Sequence, residues 1–216
     1  RAAMSEAAKL HAAFWGPKNI SGDHVSRPYL ADSAEFGGAL LQDAWPKFLS
    51  RFESGLSEEC IEFGSRFTNQ YANWIQRFKG PRTLIHSDFR SENILFIDHK
   101  EFSEAITVDW QSIAVGCGLT DVAYFLGGSL ERTVRQQCEQ AMVEFYRKSL
   151  SEAGVDISRE DCWEQYREFA MGAFMTVVVG AVYTGAEERS DQMFLTMAQR
   201  HLQQCVDLNS ADFLAD

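Results

Sequence analysis

The stretch His86-Ser87-Asp88-Phe89-Arg90-Ser91-Glu92-Asn93, with the apolar run Ile94-Leu95-Phe96-Ile97 behind it and Val108-Asp109-Trp110-Gln111 further on, governs the reading of the whole chain. The run 94–97 and the run Ala105-Ile106-Thr107-Val108 are rich in β-branched and aromatic residues, and the polar triplet Asp98-His99-Lys100 follows the first. That pattern predicts a small hairpin. A shorter β-prone run, Thr83-Leu84-Ile85, precedes the loop. In the hairpin Asn93 opens one strand and Asp109 ends its neighbour, so an amide oxygen and a carboxylate come together.

On both sides of this segment the apolar spacing turns helical. Ala7, Leu10 and Phe14 share a face in a helix over 2–15, which Gly16-Pro17 stops, and 16–33 reads as a loop holding Gly16, Pro17, Gly22 and Pro28. Leu40, Leu41, Trp45, Phe48 and Leu49 predict a helix over 36–54. Ile61, Phe63, Phe67, Tyr71, Trp74, Ile75 and Phe78 predict another over 57–79, closed by Gly80-Pro81. Downstream we expect helices over 121–127, 131–151, 158–184 and 188–208, with Gly154 and Gly185 as stops. The expected class is α+β, mainly helical with a little β in the middle, and the 216 residues suit one domain with a real core.

Composition excludes several roles. Twenty Lys and Arg against 31 Asp and Glu give a net charge of −11, so there is no basic footprint for nucleic acid or anionic lipid. Five cysteines, no two closer than 21 residues, hold no Cys-x-x-Cys pair, and with no leader sequence visible we expect a cytoplasmic protein. Residues 169–186 run without a charge, near the lower limit for a membrane span, but three glycines and several polar residues favour a helix buried in the core, with no membrane partner.

Read as His-x-Asp-x-x-x-x-Asn, with an Asp 16 residues after the Asn, the central segment resembles the catalytic loop and metal-binding Asp of protein-kinase-like phosphotransferases. Adding Gly116 to Asp121 with Val122-Ala123-Tyr124-Phe125-Leu126, and the opening Leu10-His11-Ala12-Ala13-Phe14-Trp15, the chain looks like the aminoglycoside phosphotransferase and choline-kinase-like families. It is most similar to the ecdysteroid-kinase-like subgroup. The resemblance implies a kinase-like C-terminal lobe over 1–216, with a catalytic loop in 84–97, a metal-binding Asp region in 105–126 and a helical substrate region in 127–208. It implies Asp88 as catalytic base, Asn93 and Asp109 as Mg²⁺ ligands, and His86 and Asp121 as organisers of the loop by internal hydrogen bonds. Arg90 is expected to meet the γ-phosphate or to pair with Glu92. The co-substrate is ATP or another nucleoside triphosphate, and the acceptor is a hydroxyl on a small organic molecule.

Departures from the pattern refine this expectation. Protein kinases carry Asp-Phe-Gly where this chain has Asp109-Trp110-Gln111, and only 12 residues separate Asp109 from Asp121, too few for a peptide-docking segment. Ser87 stands where the antibiotic kinases commonly have glycine. No glycine-rich phosphate loop and no strand lysine precede the first helix, since Ala7-Ala8-Lys9 lies in helical sequence, so the N-terminal lobe of the parent is expected to be missing. The alternative is a pseudokinase-type lobe that binds a ligand or partner without turnover.

Plainer readings stand beside these. His86, Asp88 and His99 as transition-metal ligands lack a fourth ligand at zinc-like spacing. Gly116-Cys117-Gly118-Leu119-Thr120-Asp121 begins like a dinucleotide fingerprint but puts an acid where the third glycine belongs, leaving Asp121 as a helix N-cap. Cys117 reads as a small packed residue, His11 and His24 as structural, and Glu187, Glu188 and Arg189 as a solvated helix start.

Overall fold

A computed structural model describes residues 1–16, 33–100, 103–184 and 188–214. Its helices are α1 (Ala2–Ala13), α2 (Ala34–Phe52), α3 (Glu58–Arg77), α4 (Leu119–Ser129), α5 (Arg132–Glu152), α6 (Arg159–Phe169), α7 (Gly172–Tyr183) and α8 (Glu188–Asp207). Its strands are β1 (Thr83–Ile85), β2 (Ile94–Asp98), β3 (Ser103–Thr107) and β4 (Ala114–Gly116). The chain is therefore mainly helical with two small antiparallel sheets, the α+β class expected. It divides into two compact units, one with residues 1–16 and 79–169 of those described, the other with 33–78 and 170–214.

The first unit holds all four strands. β2 and β3 form the predicted hairpin, with Ile94 opposite Thr107 and Asp98 opposite Ser103. β1 pairs with β4, Thr83 opposite Gly116 and Ile85 opposite Ala114, and every residue of both strands is buried. α1 packs on α5, on β1 and on β3. Two side chains fasten it there: Thr83 Oγ1 donates to the His11 carbonyl at 2.7 Å, and Glu6 Oε1 accepts from both Thr107 N and Oγ1 at 3.3 Å.

The second unit is an aromatic core. α3 starts at Ser57, whose hydroxyl accepts from Cys60 N at 3.3 Å, with Glu58 and Glu59 complementing the helix dipole in the first turn. Its buried face carries Phe63, Phe67, Tyr71 and Trp74 at helical spacing. Phe67 lies 5.5 Å from Phe174 of α7, and Phe174 lies 5.1 Å from Trp45 of α2. Burial at this scale, about 25 cal/mol per Å² of apolar surface, is what holds three polar-backed helices together.

Two expectations are corrected. The helix expected over 158–184 is two helices, because the turn at Ala170 and Met171 is itself buried and apolar and so leaves no mark in the hydropathy pattern. That turn is also where the chain passes from one unit to the other. The second hairpin strand begins earlier than expected, at Ser103, and β4 is too short to show a period of two. α7 keeps 12 residues of the uncharged stretch, and no described helix is long and apolar enough to cross a membrane. The expectations for Pro17, Gly22, His24, Pro28, Gly185, Glu187 and the Glu188 side chain lie outside the described residues.

All five cysteines are free, and burial pushes the Cys162 thiol up to about 12. Gly118, just before α4, allows a close approach: a Cβ there would lie 2.7 Å from the Tyr146 hydroxyl and 2.8 Å from His11 Nδ1. Gly118→Ala is expected to lower stability by roughly 1–3 kcal/mol, as overpacking does in a closed interior. Urea unfolding of the two proteins measures it, and equal midpoints would contradict the account.

Candidate functional site

The loop after β1 reverses through Ser87, whose backbone is left-handed at φ 67°. That conformation costs a non-glycine residue roughly 1–2 kcal/mol. It is held because Asp121 Oδ1 accepts from Ser87 N at 2.9 Å and Asp121 Oδ2 accepts from His86 N at 2.7 Å. Asp121 is completely buried, and His11 Nε2 lies 3.2 Å from its Oδ2. Asp121 thus ties the loop to the start of α4 through these hydrogen bonds. It is not an N-cap: Gly118 takes that position, with no side-chain cap.

His86 supplies the second tie. Its ring is buried, edge-on to Trp110 at 5.1 Å, and its Nε2 donates to the Val108 carbonyl at 3.0 Å. Val108 N in turn donates to the Asn93 carbonyl at 2.9 Å. Val108 is therefore held at both its amide and its carbonyl, and the next residue, Asp109, springs from a fixed point beside Asn93. Asp109 itself is left-handed at φ 64°, a conformation Asp tolerates better than most residues, and its side chain is exposed. Gln111 Nε2 lies 3.4 Å from Asp109 Oδ2.

Asp88 stands at the centre of the loop, partly exposed. Asn93 Nδ2 donates to Asp88 Oδ2 at 2.8 Å and to the Asp88 carbonyl at 2.9 Å, while Arg90 Nε lies 3.5 Å from Asp88 Oδ1. Arg90 N also donates to the Asp88 carbonyl at 3.1 Å, and Asn93 N to the Arg90 carbonyl at 3.0 Å, so 88–93 is a tight hydrogen-bonded turn. Glu92 accepts from Ser91 Oγ at 2.9 Å. The phenol of Tyr124 faces the carboxylate of Asp88, and burial together with that charge pushes it well above the usual tyrosine range.

Of the residues singled out in the sequence, the loop therefore brings together Asp88, Arg90 and Asn93, joins Asp109 to them through Val108, and rests on His86 and Asp121. His99 lies instead at the exposed end of the hairpin, 3.4 Å from Glu104, and His86 Nε2 is engaged by a carbonyl, so the transition-metal reading is set aside. Among the described residues no group of three or more His, Cys, Asp or Glu could hold a metal. An Asp and an amide oxygen are a different donor set. Asn93 uses its Nδ2 on Asp88, so its Oδ1 is the atom left to serve as a hard ligand, and the exposed Asp109 carboxylate is a second hard oxygen. Two hard protein oxygens, with the rest from phosphate and water, fit Mg²⁺.

Sequence reasoning missed His11 as a partner of Asp121 and left Tyr124 without a role. Tyr124 was within reach, since three residues from Asp121 on α4 is one helical turn. His11 was not, because its partners are 110 and 135 residues away.

With this geometry in place, the comparisons identify the kind of protein. Residues 2–157 match the sequence model of the ecdysteroid kinase-like family, and the chain belongs to that family. That family is kinase-like, the kind of protein the loop and hairpin motifs implied. Among solved structures, the ADP-bound aminoglycoside phosphotransferase APH(2'')-Ib aligns over 94% of this chain at 15% identity with a TM-score of 0.45. This chain spans 64% of that protein's length. No curated protein matches.

Asp121→Ala removes the acceptor of two backbone N–H groups and of His11. Each buried donor left unmet costs about 1–3 kcal/mol, so we expect a loss of at least roughly 3 kcal/mol. Thermal melting is the measurement, and a shift of only a degree or two would contradict this role.

Proposed function

We propose that this chain is the catalytic lobe of a longer, two-lobed cytoplasmic enzyme that transfers the γ-phosphate of ATP to a hydroxyl of a small organic molecule. The observation that carries the reading is the pairing of Asp88 with Asn93 Nδ2, which aims one carboxylate and leaves the Asn93 amide oxygen for a second task.

In this reading Asp88 orients the acceptor hydroxyl and receives its proton late in the transfer, when the new O–P bond is largely formed. A base held by Asn93 loses little freedom when substrate binds, which is how a positioned group lowers the barrier to a loose transition state. Arg90, 3.5 Å from Asp88 Oδ1, supplies positive charge where the phosphoryl oxygens gather. Asn93 Oδ1 and the Asp109 carboxylate would hold Mg²⁺. When bound, the ion neutralises phosphate charge. The 11 residues between Asp109 and Asp121 fold as a short 3₁₀ turn, β4 and the start of α4, which favours a small acceptor over a peptide. The catalytic loop thus falls within 84–97 and the metal arm within 105–126.

Two variants of the full-length protein test the assignment. Asp88→Asn should bind Mg-nucleotide normally in calorimetry and lose turnover by roughly 10²- to 10⁴-fold, the usual worth of a general base. Asp109→Ala should lose metal-dependent nucleotide binding. Full turnover by Asp88→Asn would sink the role given to the base, and a wild-type protein without metal-dependent nucleotide binding would point to a lobe that binds without catalysis.

A further inference from the structure

We infer that Tyr146 is a positioning residue for the catalytic loop, acting through His11 and Asp121 along one buried line of hydrogen bonds. Its catalytic meaning rests on the reading of Asp88 as the base.

Tyr146 lies on α5, His11 on α1 and Asp121 on α4, and all three are fully buried. The Tyr146 hydroxyl is 2.8 Å from His11 Nδ1, and the imidazole lies edge-on to the phenol ring at 5.7 Å. His11 Nε2 is 3.2 Å from Asp121 Oδ2, the oxygen that also accepts from His86 N. The hydrogens on this line follow from which atoms can accept. A buried phenol must donate its hydrogen, and His11 Nδ1 is the acceptor it meets, so Nδ1 carries a lone pair. The imidazole hydrogen then sits on Nε2, where the Asp121 carboxylate can only accept. Burial pushes the Tyr146 phenol well above its usual range, which keeps it a donor. Gly118 leaves space for the contact, since a Cβ would press on both the hydroxyl and the ring.

The line ends on the two amides that precede Asp88. His11 with its hydrogen on Nε2 is a third donor to Asp121, whereas the opposite tautomer would turn a lone pair toward the carboxylate. Tyr146 and Asp121 favour the same tautomer, and Tyr146 fixes the plane of the ring. Loss of its hydroxyl leaves Nδ1 without its donor and the imidazole free to turn, which weakens the hold on Asp121 and loosens the His86 and Ser87 amides and with them the left-handed turn that aims Asp88.

The test uses full-length protein with isotopically labelled histidine, read by NMR. In the wild type the His11 nitrogen shifts should place a hydrogen on Nε2 and a lone pair on Nδ1. In Tyr146→Phe, melting should stay cooperative, the His11 Nδ1 shift should move as that nitrogen loses its hydrogen bond, and the His86 amide should exchange several-fold to about tenfold faster, the worth of one hydrogen bond. Wild-type His11 carrying hydrogen on Nδ1 would overturn the proposal whether or not the variant folds, and so would unchanged His86 exchange in a folded variant. Neither readout uses turnover: a protein that transfers no phosphate would remove the proposed function and leave this line of hydrogen bonds to be judged by its own signals.

Discussion

A single buried carboxylate, that of Asp121, sets the geometry on which the rest of the site depends. It is fully enclosed and receives two backbone amides and an imidazole nitrogen. A charge in such a place is tolerable only when its lone pairs are met, and here the donors come from the loop and from α1. The arrangement is mutual. Asp121 holds the strained turn at Ser87, and that turn in turn supplies an amide that makes burial of Asp121 acceptable.

Three carboxylates in the same unit show how environment divides labour. Asp121 is enclosed and saturated, so it is a structural member. Asp88 is partly open, steadied by Asn93 and flanked by Arg90, with room for one more partner. Asp109 stands exposed on a left-handed residue, tethered by its neighbour Val108 and lightly touched by Gln111. Chemical identity is constant across the three, and the number of donors around each decides what it can do.

What could be read from the sequence was local. The loop from His86 to Asn93 and the hairpin behind it are set by neighbours in the chain, and their pattern survives in the order of residues. Helices such as α3 announce themselves through Phe63, Phe67, Tyr71 and Trp74, because one buried face repeats each turn. Features that depend on distant packing were hidden. The turn at Ala170 and Met171 is as apolar as the helices it separates, and β4 is three residues with no alternation. His11 could be called structural but not assigned a partner, since hydrogen-bond partners 110 and 135 residues away leave no periodic trace. Tyr124 belongs between these cases, on the right helical face but meaningful only once Asp88 is seen beside it.

The long span of those bonds also bears on how the chain acquires its shape. β1 and its loop leave the ribosome well before α4 and α5, yet Ser87 finds its acceptor 34 residues later and His11 its phenol 135 residues later. Contacts of such separation form late, after the entropy of closing the intervening chain has been met. The nascent loop therefore waits, with its strained turn unsupported, until the segment ending in Tyr146 has emerged and docked, and the order of synthesis makes the catalytic turn one of the last parts of its unit to settle.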